Sequence, residues 1–105
     1  MKYDTHMPTK PCSVARTLRV IGSKWTALLL HNLFDGKKRF GQLQRLMKGV
    51  SPKTLSLRLH ELEKEGIIHK RVFAEIPPHV EYELTEKGKS LEQVFIKMAE
   101  WGDKN

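Results

Sequence analysis

Between residues 36 and 71 the chain places ten lysines and arginines against three acidic residues, among them Lys37, Lys38, Arg39, Lys53, Arg58, Lys70 and Arg71. Residues 1–35 hold five basic and two acidic side chains, and residues 72–105 hold four and seven. The middle third therefore carries an excess equal to the +7 of the whole 105-residue chain. Cations concentrated on one region both attract and orient a polyanion. Ser51, Thr54 and Ser56 stand among them, and hydroxyls serve phosphates and base edges alike. A solvated basic surface is the plain alternative.

The other chemically distinct residue is Cys12, the single cysteine. One thiol cannot close a disulfide within the chain, and a zinc site of two or more cysteines is excluded. The five histidines are scattered and give no metal-ligand pattern. Cys12 has no histidine or carboxylate beside it, and no phosphate-binding glycine loop or catalytic pair of acids is present. No catalytic residue, metal or cofactor is assigned, and an enzyme built on Cys12 is set aside.

Length and composition set the frame that must position these groups. A chain of 105 residues makes one domain, with 30% charged and 39% hydrophobic residues, as in soluble globular proteins. Nothing approaches the roughly 20 apolar residues of a membrane span, and the first residues lack the apolar core of a signal peptide. A cytoplasmic protein is expected, with no membrane contact.

Residues 1–11 read as a flexible leader and residues 12–105 as the domain. Val14, Leu18 and Ile21 recur at helical spacing, and Gly22 stops that helix. Ser23 can cap a second helix, Lys24 to Phe34, which is apolar nearly all round and should form the buried centre. Asp35-Gly36 is a turn. A third helix spans about Phe40 to Met47, with Phe40, Leu43, Leu46 and Met47 on one side. Ser51-Pro52 starts a fourth, a serine cap followed by proline at the first helical position, and Gly66 closes it. The period then changes from 3.6 to 2. Residues 68–74 and 79–84 alternate as two strands around Pro77-Pro78, a hairpin. Thr85 caps a last helix, to about residue 102, with Leu91, Val94, Phe95, Met98 and Trp101 on one side.

The expected class is mainly α with a small β-hairpin. A short helix, a glycine-containing turn and an amphipathic helix make a helix-turn-helix, and a hairpin directly after it makes a winged helix-turn-helix. On the fourth helix Leu55, Leu59 and Leu62 share one stripe. Lys53, Thr54 and Leu57 then face outward near the N-terminus, with Ser56 and Arg58 on the flanks. The N-terminal residues of a recognition helix reach base edges in the major groove. Lysine donates to guanine, hydroxyls play either role and leucine can meet a thymine methyl, while Ser51 suits a phosphate. Lys37, Lys38 and Arg39 would lie along the duplex backbone, and Lys70, Arg71 and His79 belong to the wing. Leu91, Val94, Met98 and Trp101 repeat like a coiled-coil seam, which a second copy would bury.

Cys12-Ser13-Val14, Arg16-Thr17-Leu18, Ile21 to Thr26, Lys38-Arg39-Phe40, the run Ser51 to Ile68, Pro77-Pro78, Val80-Glu81-Tyr82, Leu84-Thr85, Gly88 and Trp101 together resemble the HxlR family of winged-helix transcriptional regulators, related to the MarR group. The resemblance covers about residues 12–102. It implies a sequence-specific regulator, a repressor in the simplest scheme, binding a pseudo-palindromic operator in double-stranded DNA as a homodimer. Its added N- and C-terminal helices would pair the copies, which places Val14, Leu18, Leu91, Val94, Phe95, Met98 and Trp101 in the interface. Two departures stand out: His79 where arginine often follows the wing prolines, and Leu57 where a polar residue is common. Some relatives sense electrophiles or oxidants through a cysteine matching Cys12, so a small electrophile or oxidant is a candidate effector. A helix N-terminus with Lys10 and Arg16 nearby favours thiolate. The alternative is a winged-helix module for protein contact, without specific DNA readout.

Overall fold

The computed structural model describes residues 11–105, with the Pro11 side chain left aside; the expected leader, and Lys10 with it, lies outside the described residues. The order is α1 (Pro11–Ile21), α2 (Lys24–Leu33), β1 (Lys38–Arg39), α3 (Phe40–Leu46), α4 (Pro52–Lys64), β2 (Ile68–Phe73), β3 (His79–Leu84), α5 (Glu86–Lys89) and α6 (Glu92–Lys104). Among the described residues, no helix is long and apolar enough to cross a membrane.

Local chemistry sets the boundaries of α2 and α4. Ser23 Oγ accepts from the Thr26 N–H at 3.2 Å, and Ser51 Oγ accepts from the Thr54 N–H at 3.1 Å. Pro52 occupies the first turn of α4, where its missing N–H costs nothing. At the other end Gly66 has φ +73°, the left-handed conformation that turns the chain into β2.

The three helices α2, α3 and α4 bury one face each. Leu29, Leu30 and Leu33 of α2 join Leu43 of α3, Met47 just after it, and Leu55, Leu59 and Leu62 of α4 in one core. Ile67, Ile68 and Leu84 close the core where the sheet begins. The alternation along the sheet fits this arrangement. Ile68 pairs with Leu84, Lys70 with Tyr82 and Val72 with Val80, so these six share one face, buried at the Ile68–Leu84 end.

Several expectations are corrected. The sheet has three strands in the order β1-β3-β2, because Lys38 and Arg39 pair with Tyr82 and Glu81. The first wing strand buries little beyond Ile68; Val72 is exposed. Leu46, expected on the buried side of α3, is exposed, since Phe40, Leu43 and Met47 align with the core and Leu46 falls off that face. Leu28 is exposed too, so α2 is not buried all round. The last helix is two helices. Thr85 Oγ1 caps Gly88 at 3.1 Å as expected, but it also donates to the Gly66 carbonyl at 2.6 Å. That anchors α5 to the end of α4. Gly88 itself packs so closely that a Cβ there would collide with the Ile67 carbonyl. A turn at Ser90–Leu91, both in right-handed helical conformation, joins α5 to α6.

Candidate nucleic-acid interface

The outward face of α4 is built by its own buried stripe. Leu55, Leu59 and Leu62 point into the core, which turns Lys53, Ser56 and Leu57 to the surface. Leu57 is 51% exposed, a large apolar side chain with no folding partner. Thr54 is half-buried, and its hydroxyl receives the Ser51 hydroxyl proton at 3.0 Å. Both hydroxyls thus sit at the helix start in one cap. Lys53 remains exposed and, among the described residues, makes no ion pair.

Arg58 is placed differently from the rest of this face. It donates to Glu61 at 3.0 Å, its side chain is half-buried, and its Nε is buried without a partner. It lines the cleft between α4 and the α1–α2 corner, together with Arg19, Ser23 and Glu65.

The strand register sorts the cations around the wing. Arg39, Glu81 and Arg71 form one row across β1, β3 and β2, and Lys38, Tyr82 and Lys70 form the next. Residues opposite one another in antiparallel strands share a face. On the Glu81 face the carboxylates hold most of the cations. Lys37 Nζ stands 3.3 Å from Glu81 Oε1, and Arg71 Nε stands 3.1 Å from Glu83 Oε1. Lys38, only partly accessible, reaches Asp35 at 2.6 Å and the Gly36 carbonyl at 3.2 Å. Arg39 is exposed; its backbone N–H donates to the Gln42 side chain at 2.8 Å, which starts α3.

His79 is folded into the wing. Nδ1 lies 3.1 Å from Glu75 and Nε2 3.3 Å from Glu81, and the ring stacks on Phe73 with centroids 4.5 Å apart. Both nitrogens are therefore taken by carboxylates. The Glu75/His79 spacing of four residues was a visible sign of half this arrangement. Burial raises the Glu81 carboxyl, but its hydrogen bonds and charge contacts with Lys37 and then His79 outweigh this and hold it below the usual range. A hydrogen bond and the charge of Lys38 lower Asp35. Burial, with the charge of Glu63 behind it, raises Tyr82.

Sequence reasoning missed three groups here. Glu81 is the hub of the wing, and only the strand register reveals it. Arg45 and Lys48 are exposed at the end of α3 and in the turn before α4, and their place in the helix-turn-helix turn was the available signal.

The apolar seam of the last helix divides. Leu91, Val94 and Phe95 are partly buried against their own core, and Phe95 meets Phe34 edge-to-face at 5.2 Å. Met98 and Trp101 are exposed, Trp101 at 70%, and Ile96 is exposed on a different side of α6. On α1 Ile21 is buried while Val14 and Leu18 are exposed. Cys12 is exposed in the first turn of α1. The Arg16 guanidinium donates to Ser13 Oγ at 3.3 Å.

The architecture matches proteins already described. The model of the HxlR-like helix-turn-helix family matches residues 20–105. A Bacillus subtilis relative, named as the uncharacterized HTH-type transcriptional regulator YdeP, is 47% identical over 93 residues, which is 89% of this chain and 73% of the relative. The redox regulator HypR, solved in its oxidized form, superposes with a TM-score of 0.84 at 46% identity, covering 90% of this chain and 97% of HypR. Quinone-bound YodB from Bacillus subtilis superposes with a TM-score of 0.78 at 34% identity, covering 90% and 99%.

Proposed function

The chain belongs to the HxlR-like helix-turn-helix family, and we propose that it is a sequence-specific DNA-binding transcriptional regulator that grips a pseudo-palindromic operator as a homodimer. The observation that carries this reading is the α4 surface. Its apolar stripe is fully committed to the core, which leaves Lys53, Ser56 and Leu57 projecting at the end of the helix that starts with a capped turn. These side chains, with Thr54 at the same turn, supply a guanine donor, hydroxyls and an apolar contact for a thymine methyl. Ser51, with the first N–H groups of α4, suits a phosphate. Arg39 on the Glu81 face of the sheet and Lys70 on the opposite face are the sheet cations free to meet backbone phosphates, joined by Lys37, Lys38 and Arg71 when phosphate displaces their carboxylate partners. Arg58 and His79 support this surface from within, Arg58 through Glu61 and His79 through the two wing glutamates.

Pairing of two copies falls to Met98 and Trp101 of α6 with Val14 and Leu18 of α1. Leu91, Val94 and Phe95 hold α6 on its own domain and set the angle at which that face is presented. Occupying an operator in this way blocks polymerase, so repression is the simplest outcome.

Cys12 is the candidate sensor. Two of the similar structures are a redox regulator in its oxidized form and a quinone-bound regulator, and the Cys12 thiol is exposed at the start of α1. With one thiol per chain, an oxidant that accepts two electrons joins two protomers or joins Cys12 to a small thiol, and a quinone adds to the thiolate directly.

A salt titration on duplex DNA tests the reading. The affinity should fall on a log–log plot by about 0.9 per phosphate neutralised; a flat response contradicts it. A quinone should weaken binding by the wild type and leave Cys12→Ser unchanged. An unaffected wild type would overturn the sensing role alone.

A further inference from the structure

Resting on the DNA-binding reading above, we propose that the wing enters the minor groove with an apolar wedge, Ile76 backed by Pro77 and Pro78, and not with a cation. Ile76 is a large aliphatic side chain at 102% exposure, at the apex of the two-stranded ribbon. Val72, on the strand leading to it, is 66% exposed. Exposure this complete at one tip is not needed for folding, because the ribbon is anchored at its far end by Ile68 and Leu84.

Charge bookkeeping at the wing points to the same conclusion. Arg71 is held by Glu83, Lys37 by Glu81, and His79 by both Glu75 and Glu81. Lys70 is the wing cation without an ion pair among the described residues, and it lies on the strand, not at the apex. The Glu75 carboxylate turns toward His79 Nδ1, 3.1 Å away. No lysine or arginine stands at the apex between Ala74 and Pro78, while the strands behind it carry Lys70 and Arg71. Isoleucine and proline are among the side chains that minor-groove proteins insert between base steps, partly unstacking them and kinking the duplex.

The place of the tip in the fold selects the duplex over a second copy. Six paired residues separate the apex from Leu84, which leads into α5 and α6, a distance of about 17 Å at 3.3 Å per residue. The exposed faces of α6 belong to the opposite end of the ribbon. Arg39, in the Glu81 row of the sheet, lies between the apex and the core and can meet a phosphate behind the wedge, while Lys70 stands on the opposite face.

The test uses the full chain on a 30-base-pair duplex enriched from random DNA by the wild-type protein, with a dye pair on its ends and 2-aminopurine replacing single adenines outside the α4 half-sites. Binding should brighten 2-aminopurine at one step and raise energy transfer between the ends. Ile76→Ser should abolish both signals and keep affinity within about tenfold, since it removes the wedge but no phosphate contact. Ile76→Arg should steepen the salt dependence by about 0.9 without restoring the 2-aminopurine signal. Equal melting temperatures will show that each variant is folded. The wedge is overturned if Ile76→Ser retains both signals, or if wild type binds with a normal salt slope and perturbs no step. Failure of the wild type to bind any duplex would overturn the DNA-binding reading and the wedge together.

Discussion

Lys37 Nζ and Glu81 Oε1 stand 3.3 Å apart, so a cation expected to meet a phosphate is held by a carboxylate on the central strand of the sheet. Glu81 is mostly shielded while Lys37 is open to solvent. The pair therefore restrains Lys37 without hiding it. Glu81→Gln should free Lys37 for the DNA backbone. The salt slope of binding should then steepen by about 0.9, the value for one additional phosphate, with tighter binding on operator and unrelated DNA alike. An unchanged slope would show that Lys37 already reaches phosphate, or never does.

Leu57 should read a methyl group. An apolar side chain at this point on α4 matches thymine, and its exposure leaves it free to do so. Leu57→Gln should move the preferred base at one position of each half-site from thymine toward adenine, with about 1–3 kcal/mol of discrimination. Binding selections with the two proteins check this. Identical base preferences would mean that Leu57 does not touch the bases.

Acid should loosen the wing before it unfolds the helices. Glu81 and Asp35 are held below their ordinary values of 4.5 and 3.8. For a carboxyl lowered in the folded state, the stabilisation is complete above the unfolded value and is lost as pH falls through the folded one. Thermal unfolding should show a gap between wild type and Glu81→Gln at pH 6 that narrows once the pH falls below the ordinary value of 4.5. A gap that is constant with pH would show that the Glu81 charge contributes nothing.

The α6 face should govern assembly. Trp101 and Met98 are exposed large apolar residues on one helix, and a buried tryptophan at an interface typically contributes about 2 kcal/mol or more. Trp101→Ser with Met98→Ser should shift sedimentation toward monomer and raise the protein concentration needed for operator binding at least about thirtyfold. Dimers of undiminished stability would place the subunit contact elsewhere.

The parts legible in the sequence were those set by local chemistry. Ser51 and Pro52 marked the start of α4 to the residue, and the spacing of Leu55, Leu59 and Leu62 gave its buried face. Ser23, Gly66 and Thr85 acted locally in the same way. The parts that stayed hidden depend on residues far apart in the chain. A two-residue strand at Lys38–Arg39 has no period to detect, and it forms only because Tyr82 and Glu81 arrive beside it. The close approach of Gly88 in α5 to the Ile67 carbonyl is a contact across the domain that helical spacing could not show. Charge counting located the basic region but overstated its free cations, since Lys37, Lys38, Arg58 and Arg71 each have a carboxylate partner. The α6 seam was legible as apolar, but its helical spacing carried no sign that Phe95 would turn to Phe34.

Selection of bound duplexes from random DNA at physiological salt, run with wild type and with Lys53→Ala, tests the central claim most directly. Wild type should enrich an inverted repeat whose half-sites lie about 10 base pairs, or a multiple, apart. Lys53→Ala should keep that spacing and lose a guanine preference in each half-site at a cost of about 1–3 kcal/mol. No enriched repeat, or the same repeat with undiminished guanine preference in the variant, would contradict the placement of the α4 N-terminus in the major groove.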